Sequence, residues 1–408
     1  MAMKQTQTKL FDFADVGLDF CAGSKSLFQD RFKRMLALGY NSQTVVSVSV
    51  VGNQVTFEYG VSHGYVVDRV LKVISGPLAL INNGEFVVDS VTATTLTMTI
   101  DGAPISIAGN FKTTVAPLGY ELVYESGFIQ IFKFKDLDES DLYIRFAYQT
   151  GPTHRNTIMP CIGRTVDLET GTITDTTSYP NGRTGNNAGQ AMPKWEFTAN
   201  WASTYNTYTY SQGSGVFGKG VVIGSPYHLL ILSNTDTSHA VHTVINGFVP
   251  SRTLNFDSLN LPVLFLYNTN ASGNDNRSTH YGNLFTGYIG GVRVSFKQDT
   301  VAAGDPFNAP LANSSFISLD TFNTTTAEPI GIYEYSTKQF LGYVSGGLYL
   351  AKYAVTNQPQ LVRASAPIAT YDIDLENSVY LHGIGIYAVS TTSLVVLAVP
   401  VEEIKIGD

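Results

Sequence analysis

Gly213-Ser-Gly-Val-Phe-Gly218-Lys219-Gly220 is the stretch whose spacing comes nearest to a known chemistry, the cradling of a phosphate. It satisfies G-x-G-x-x-G and falls one residue short of GxxxxGK[ST]. Both motifs present backbone N–H groups at a helix N-terminus to phosphate oxygens. Here Gly220 replaces the magnesium-binding hydroxyl, and the Val-Val-Ile that follows predicts a strand. Without a helix there is no dipole, so the expectation is a glycine-rich β-turn and no nucleotide. The acidic run Asp136-Leu-Asp138-Glu139-Ser140-Asp141 offers oxygen ligands. A calcium loop beginning there needs Gly at its sixth position and Glu at its twelfth, where Asp141 and Ala147 stand. A solvated turn is expected instead.

Among seven histidines only His239 and His242 lie close together, and in a strand they would face opposite sides of the sheet. No G-x-S-x-G elbow occurs, and paired carboxylates for glycoside cleavage leave no local signature. Cys21 and Cys161 are the only thiols, which excludes a disulfide framework and a cysteine-based zinc site. The residues assign no catalytic group, metal or cofactor, and the chain is expected not to be an enzyme. Trp195, Phe197, Trp201, Tyr205, Tyr208 and Tyr210 crowd into one 16-residue stretch. Such aromatics fill a core or an interface more readily than they stack on sugars. Trp195, Trp201 and Tyr205 are still the candidate partner or glycan contacts, with Asp275, Arg277 and His280 in the polar loop 268–283.

The elements that would position these residues are strands. Charged residues make up 14% of the 408, well below the roughly 25% of an average soluble protein. This argues against helical bundles, coiled coils and disordered tails. A net charge of −8 argues against general nucleic-acid binding. No apolar run approaches the roughly 20 residues of a membrane-spanning helix, and Met1–Leu10 lacks the apolar core of a secretory signal. The expectation is a chain made in a cytoplasm, without membrane insertion.

One segment, Ser24–Leu38, has helical spacing, capped by Ser24 or Ser26 and stopped by Gly39. It should lie against the first β-region, or use Leu27, Phe28, Phe32 and Met35 to dock on a neighbouring subunit. After Tyr40 the period becomes two. Thr44–Val51 and Gln54–Tyr59 flank Gly52-Asn53, a two-residue hairpin turn. Further strands are predicted throughout, including Lys194–Trp201 and Tyr205–Tyr210. The fold class is all-β: an N-terminal arm and helix (1–40), a small β-barrel or sandwich (41–117), and a larger, jelly-roll-like antiparallel sandwich (118–408), with a subdivision near 300–330. The polar stretch Arg164–Pro193 is too long for a mere connector; it should be functional, or mobile until a partner orders it.

Several stretches in this order resemble structural proteins of tailed-bacteriophage virions. They are His63-Gly64, Asp68-Arg69-Val70, Asn83-Gly84-Glu85-Phe86-Val87-Val88, Val91-Thr92-Ala93-Thr94-Thr95-Leu96-Thr97, Ala116-Pro117-Leu118-Gly119-Tyr120-Glu121 and Tyr143-Ile144-Arg145. The resemblance covers residues 44–150, with looser echoes at Pro193-Lys194-Trp195 and in Gly342–Tyr349. The family often has Trp where Tyr120 stands. The resemblance implies a non-enzymatic virion component of the tail or baseplate, present in several symmetric copies. Its partners would be its own copies and other virion proteins. The alternative is an adhesin for a host surface glycan or receptor.

Overall fold

The computed structural model describes residues 2–151, 155–186, 188, 193–198, 203–236, 243–254, 256, 259, 261–268, 286–296, 321–322, 329–351, 367–372, 377–385 and 394–404. The fold is all-β, with almost wholly antiparallel sheets and a few short helices. The arm carries β1 (Lys9–Asp12), which pairs with Val221–Gly224 at the edge of a ten-stranded sheet. Next comes α1 (Lys25–Lys33), continued by a π-helical turn over Arg34–Leu38. It stops at Gly39, whose φ of 76° suits glycine. Ser24 is the N-cap residue, yet its hydroxyl donates to the Tyr208 carbonyl and accepts from the Cys21 N–H. It ties the helix to a distant loop rather than capping the first turn.

Residues 40–115 form the small barrel. Its strands are β2 (Tyr40–Thr44), β3 (Ser47–Val51), β4 (Gln54–Glu58), β5 (Val70–Val73), β6 (Glu85–Val91), β7 (Thr95–Thr99) and β8 (Lys112–Val115), in the order β2-β8-β5-β6-β7-β4-β3. β2 and β3 are two halves of one bent strand. Val45 exchanges hydrogen bonds with Asn110 and Phe111, while the Val46 N–H donates to Glu58, so the ends of the sheet meet. β6 bends similarly, at a bulge between Val88 and Ser90. Strands that serve two neighbours in turn close a barrel without free edges. The Gly52-Asn53 turn is as expected: Val51 pairs with Gln54, and Gly52 has φ 63°. Val55 and Phe57 of β4 point inward with Leu96 and Met98 of β7, the period-two signature of a half-buried sheet.

The larger region begins with a meander of β9 (Glu121–Ser126), β10 (Ile129–Lys135), β11 (Asp141–Tyr148) and β12 (Thr157–Gly163). A two-residue ladder, β13 (Val166–Asp167) with β14 (Thr172–Ile173), and α2 (Pro180–Thr184) follow. β15 (Pro193–Glu196) and Tyr267–Asn268 complete a six-stranded sheet. After α3 (Tyr210–Phe217) come β16 (Val221–Ser225), β17 (His228–Asn234) and β18 (Thr243–Val249). These join β1 and six strands between residues 251 and 344 in the ten-stranded sheet. Every residue of β16, β17 and β18 is buried. Gly247 allows the close approach of β18 to β17: its φ is 136°, and a Cβ there would meet the Leu229 carbonyl. The two large sheets touch through rings, Phe134 lying 4.7 Å from Phe248, and through the Trp195 indole, which donates to the Phe265 carbonyl at 2.7 Å. A five-stranded sheet (strands within 321–400) abuts β18, where His382 donates to the Val244 carbonyl.

Three expectations change. The apolar face of α1 is used within its own chain: Phe28, Phe32 and Met35 are fully buried and Leu27 is half-buried. Phe28 lies 4.8 Å from Phe197 and Phe32 5.7 Å from Phe146. The helix therefore packs on the six-stranded sheet, not on the barrel, and Phe28, Phe32 and Met35 are not available to another subunit. Tyr205–Tyr210 is not a strand but a 3₁₀ turn leading into α3. Likewise Gly213–Phe217 is helical rather than a β-turn. Thr209 and Gln212 form a capping box, and Gly213 packs where a Cβ would strike the Cys21 sulfur. Gly218 and Lys219 then lie at the C-terminal, negative end of α3, which disfavours phosphate.

The arm welds barrel to large region. While β1 is part of the ten-stranded sheet, Asp15 takes a bidentate ion pair from Arg69 of the barrel at 2.8 and 2.9 Å, and the Tyr40 hydroxyl donates to it at 2.7 Å. Lys9 reaches Glu85 at 2.8 Å and the Pro117 carbonyl at 2.6 Å. Burial lowers the Lys9 pKa, and the Glu85 carboxylate opposes that shift. One hydrophobic core runs unbroken through arm, barrel and sheets.

Candidate interaction surface

The groups that could do chemistry are, where described, occupied with structure. Ser225 Oγ lies 2.7 Å from His228 Nδ1, the spacing of a nucleophile and its base. Both residues are fully buried, and Ser225 Oγ also accepts the Tyr227 N–H. Burial pushes the His228 pKa down to about 3, too low for an effective base at neutral pH. His382 is buried likewise, its pKa lowered to about 4. Burial raises the Cys161 thiol to about 12, which keeps it protonated. Asp136–Asp141 is a turn: the Leu137 N–H and the Ser140 N–H are held by Asp136 and Asp138 carboxylates, and Asp141 pairs with Lys135 at 2.7 Å. No group of three metal-ligating side chains occurs among the described residues. His239 and His242 lie outside them.

Arg145 explains the polar stretch after Gly163. Its guanidinium is buried and donates to the carbonyls of Gly171 (2.7 Å), Gly182 (3.3 Å) and Gly185 (2.7 Å) and to Asn186 Oδ1 (2.9 Å). Burial lowers its pKa. The described part of Arg164–Pro193 is thus held by its own chain, around one side chain that sequence spacing could not connect to it.

Of the six candidate contact residues, Trp195 and Tyr205 are among the described residues. Trp195 is wholly buried, its ring 5.4 Å from Phe146, so it belongs to the core and offers no face to a sugar. Tyr205 is half-buried, edge-on to Phe217 and Tyr208. Trp201, Asp275, Arg277 and His280 lie outside the described residues.

What sequence reasoning missed is the exterior of the barrel. Of the sixteen large apolar side chains exposed among the described residues, nine lie between Val46 and Ile105. Ile105 is 94% exposed, Leu80 88% and Val51 78%. Val51 precedes the Gly52-Asn53 turn, and the Asn53 amide donates to Asp101 at the head of the loop carrying Ile105. Val46 lies against Gly60, next to the exposed Val61. Clustered apolar exposure marks surfaces that bind other surfaces. A usable signal was present: apolar residues beside Gly52 and Pro104, at turns where the chain has no inward face to put them.

No family model matches the chain, and no curated protein matches it.

Proposed function

We propose that this chain is a structural component of a tailed-bacteriophage virion, in the tail or baseplate, where several copies assemble through the barrel exterior. The supporting observation is the concentration of exposed apolar side chains on the barrel, the part of the chain that carries most of the phage-like motifs. Burying such side chains between copies contributes about 25 cal/mol per Å². The weld of Asp15–Arg69 and Lys9–Glu85 suits a part that transmits position, because it holds the barrel rigidly against the large sheets. The virion role further rests on the motif resemblance.

Light scattering on the purified full chain tests the assembly. The expected result is a discrete multimer that falls to monomer in a Leu80→Ser/Ile105→Ser double variant with unchanged thermal stability. A wild-type chain that stays monomeric at about 100 μM, a concentration at which even weak specific interfaces populate, would overturn the proposal.

A further inference from the structure

We infer that the cleft where arm, barrel and five-stranded sheet meet is a binding site for a neutral oligosaccharide. The inference does not depend on the assembly reading. The cleft has a volume of about 960 Å³, at the upper end of the range for small-molecule sites. Three separate regions wall it: Gln5 and Thr8 of the arm, Asp68 of the barrel, and Tyr371, Asn377 and Ser378 of the five-stranded sheet. Tyr371 and Ser378 are direct partners across an antiparallel pair, so they share one face. Tyr371 is 47% exposed. It is an aromatic surface kept beside polar groups rather than buried with other rings.

The lining chooses among ligand classes. Among the described residues of the lining, Asp68, Glu402 and Glu403 outnumber the single cation Lys4, which disfavours phosphates and acidic sugars. The negative charge is also partly answered from within. Lys4 lies 3.6 Å from Asp68, and Gln5 donates to Glu403 at 2.9 Å. That weakens the case for a basic peptide. What remains is a half-exposed ring beside carboxylate, amide and hydroxyl groups able to accept and donate several hydrogen bonds. A pyranose matches this: its C–H face lies on an aromatic ring, while its neighbouring hydroxyls bind carboxylate and amide oxygens. A site of this kind needs polar groups from several directions, and the welded arm supplies one wall.

The test is titration calorimetry of the full chain with a panel of neutral di- to tetrasaccharides, a sulfated oligosaccharide and an oligolysine peptide. At least one neutral sugar should bind at about 1 mM or tighter. Tyr371→Ala should weaken it about tenfold or more, and Tyr371→Trp should retain it. Ser378→Trp, which fills the cleft, should abolish it while the melting curve is kept. Three outcomes would each overturn the inference: no binding by any neutral sugar, binding unchanged in both Tyr371→Ala and Ser378→Trp, or binding of the oligolysine or the sulfated probe alone.

Discussion

The barrel and the centre of the ten-stranded sheet are both antiparallel β-structure, yet they dispose of apolar side chains in opposite ways. In β4 and β7 burial alternates, and the outward positions carry Thr, Gln and Glu. In β16, β17 and β18 nothing alternates, because both faces are covered. Alternation is the mark of a sheet with one wet face; a continuous apolar run marks one without. The barrel departs from its own rule at turns and bends, where Val46, Val51, Leu80 and Ile105 stand exposed. The described centre of the ten-stranded sheet is covered within one chain, and the barrel leaves apolar surface over.

The sharpest way to break this contrast is to cut the weld between the two regions. Arg69→Ala leaves the Asp15 carboxylate buried without its guanidinium, and should cost about 3–5 kcal/mol. Urea unfolding should then show the barrel separating from the sheets. A single unchanged transition would mean that the pair holds nothing together.

Within the sheets, Leu230→Ala in β17 removes a fully buried side chain and should cost about 2–5 kcal/mol. Val51→Ala at the barrel turn should change stability by less than about 0.5 kcal/mol. Similar costs at both sites would dissolve the distinction.

Acid should loosen the large sheets. His228 and His382 are held neutral by burial, with folded pKa values near 3 and 4 against 6.5 for a free imidazole. Their contribution is complete above pH 6.5 and is lost as the pH falls from there toward the folded values, because the unfolded chain takes up the protons first. The loss is about 1.4 kcal/mol per imidazole for each pH unit. Denaturation midpoints at pH 7 and pH 5 measure it, and a flat profile, or one unaffected by His228→Gln, would contradict the buried, neutral assignment.

Local chemistry was legible where neighbours in the chain are neighbours in space. The Gly52-Asn53 hairpin and the helix ending at Gly39 are of this kind. The α3 helix was legible in principle, since Thr209-Tyr-Ser-Gln212 is a capping-box pattern, but Gly213 and Gly215 lower helix propensity and masked it. The Arg145 anchor was not legible: three of its four acceptors are backbone carbonyls 26 to 40 residues away, and any residue has a carbonyl. Nor was the burial of Trp195, since a tryptophan beside polar loops reads alike in a core and on a surface.

By itself the amino-acid sequence determined that this chain folds as β-sheet, because the period of two, the turn residues and the scarcity of helix-formers are properties of neighbouring residues. Only the tertiary structure decided that the arm is a welded strand, that the helix faces inward, and which aromatic and apolar side chains remain at the surface. Those outcomes depend on which distant segments meet, and burial is decided there.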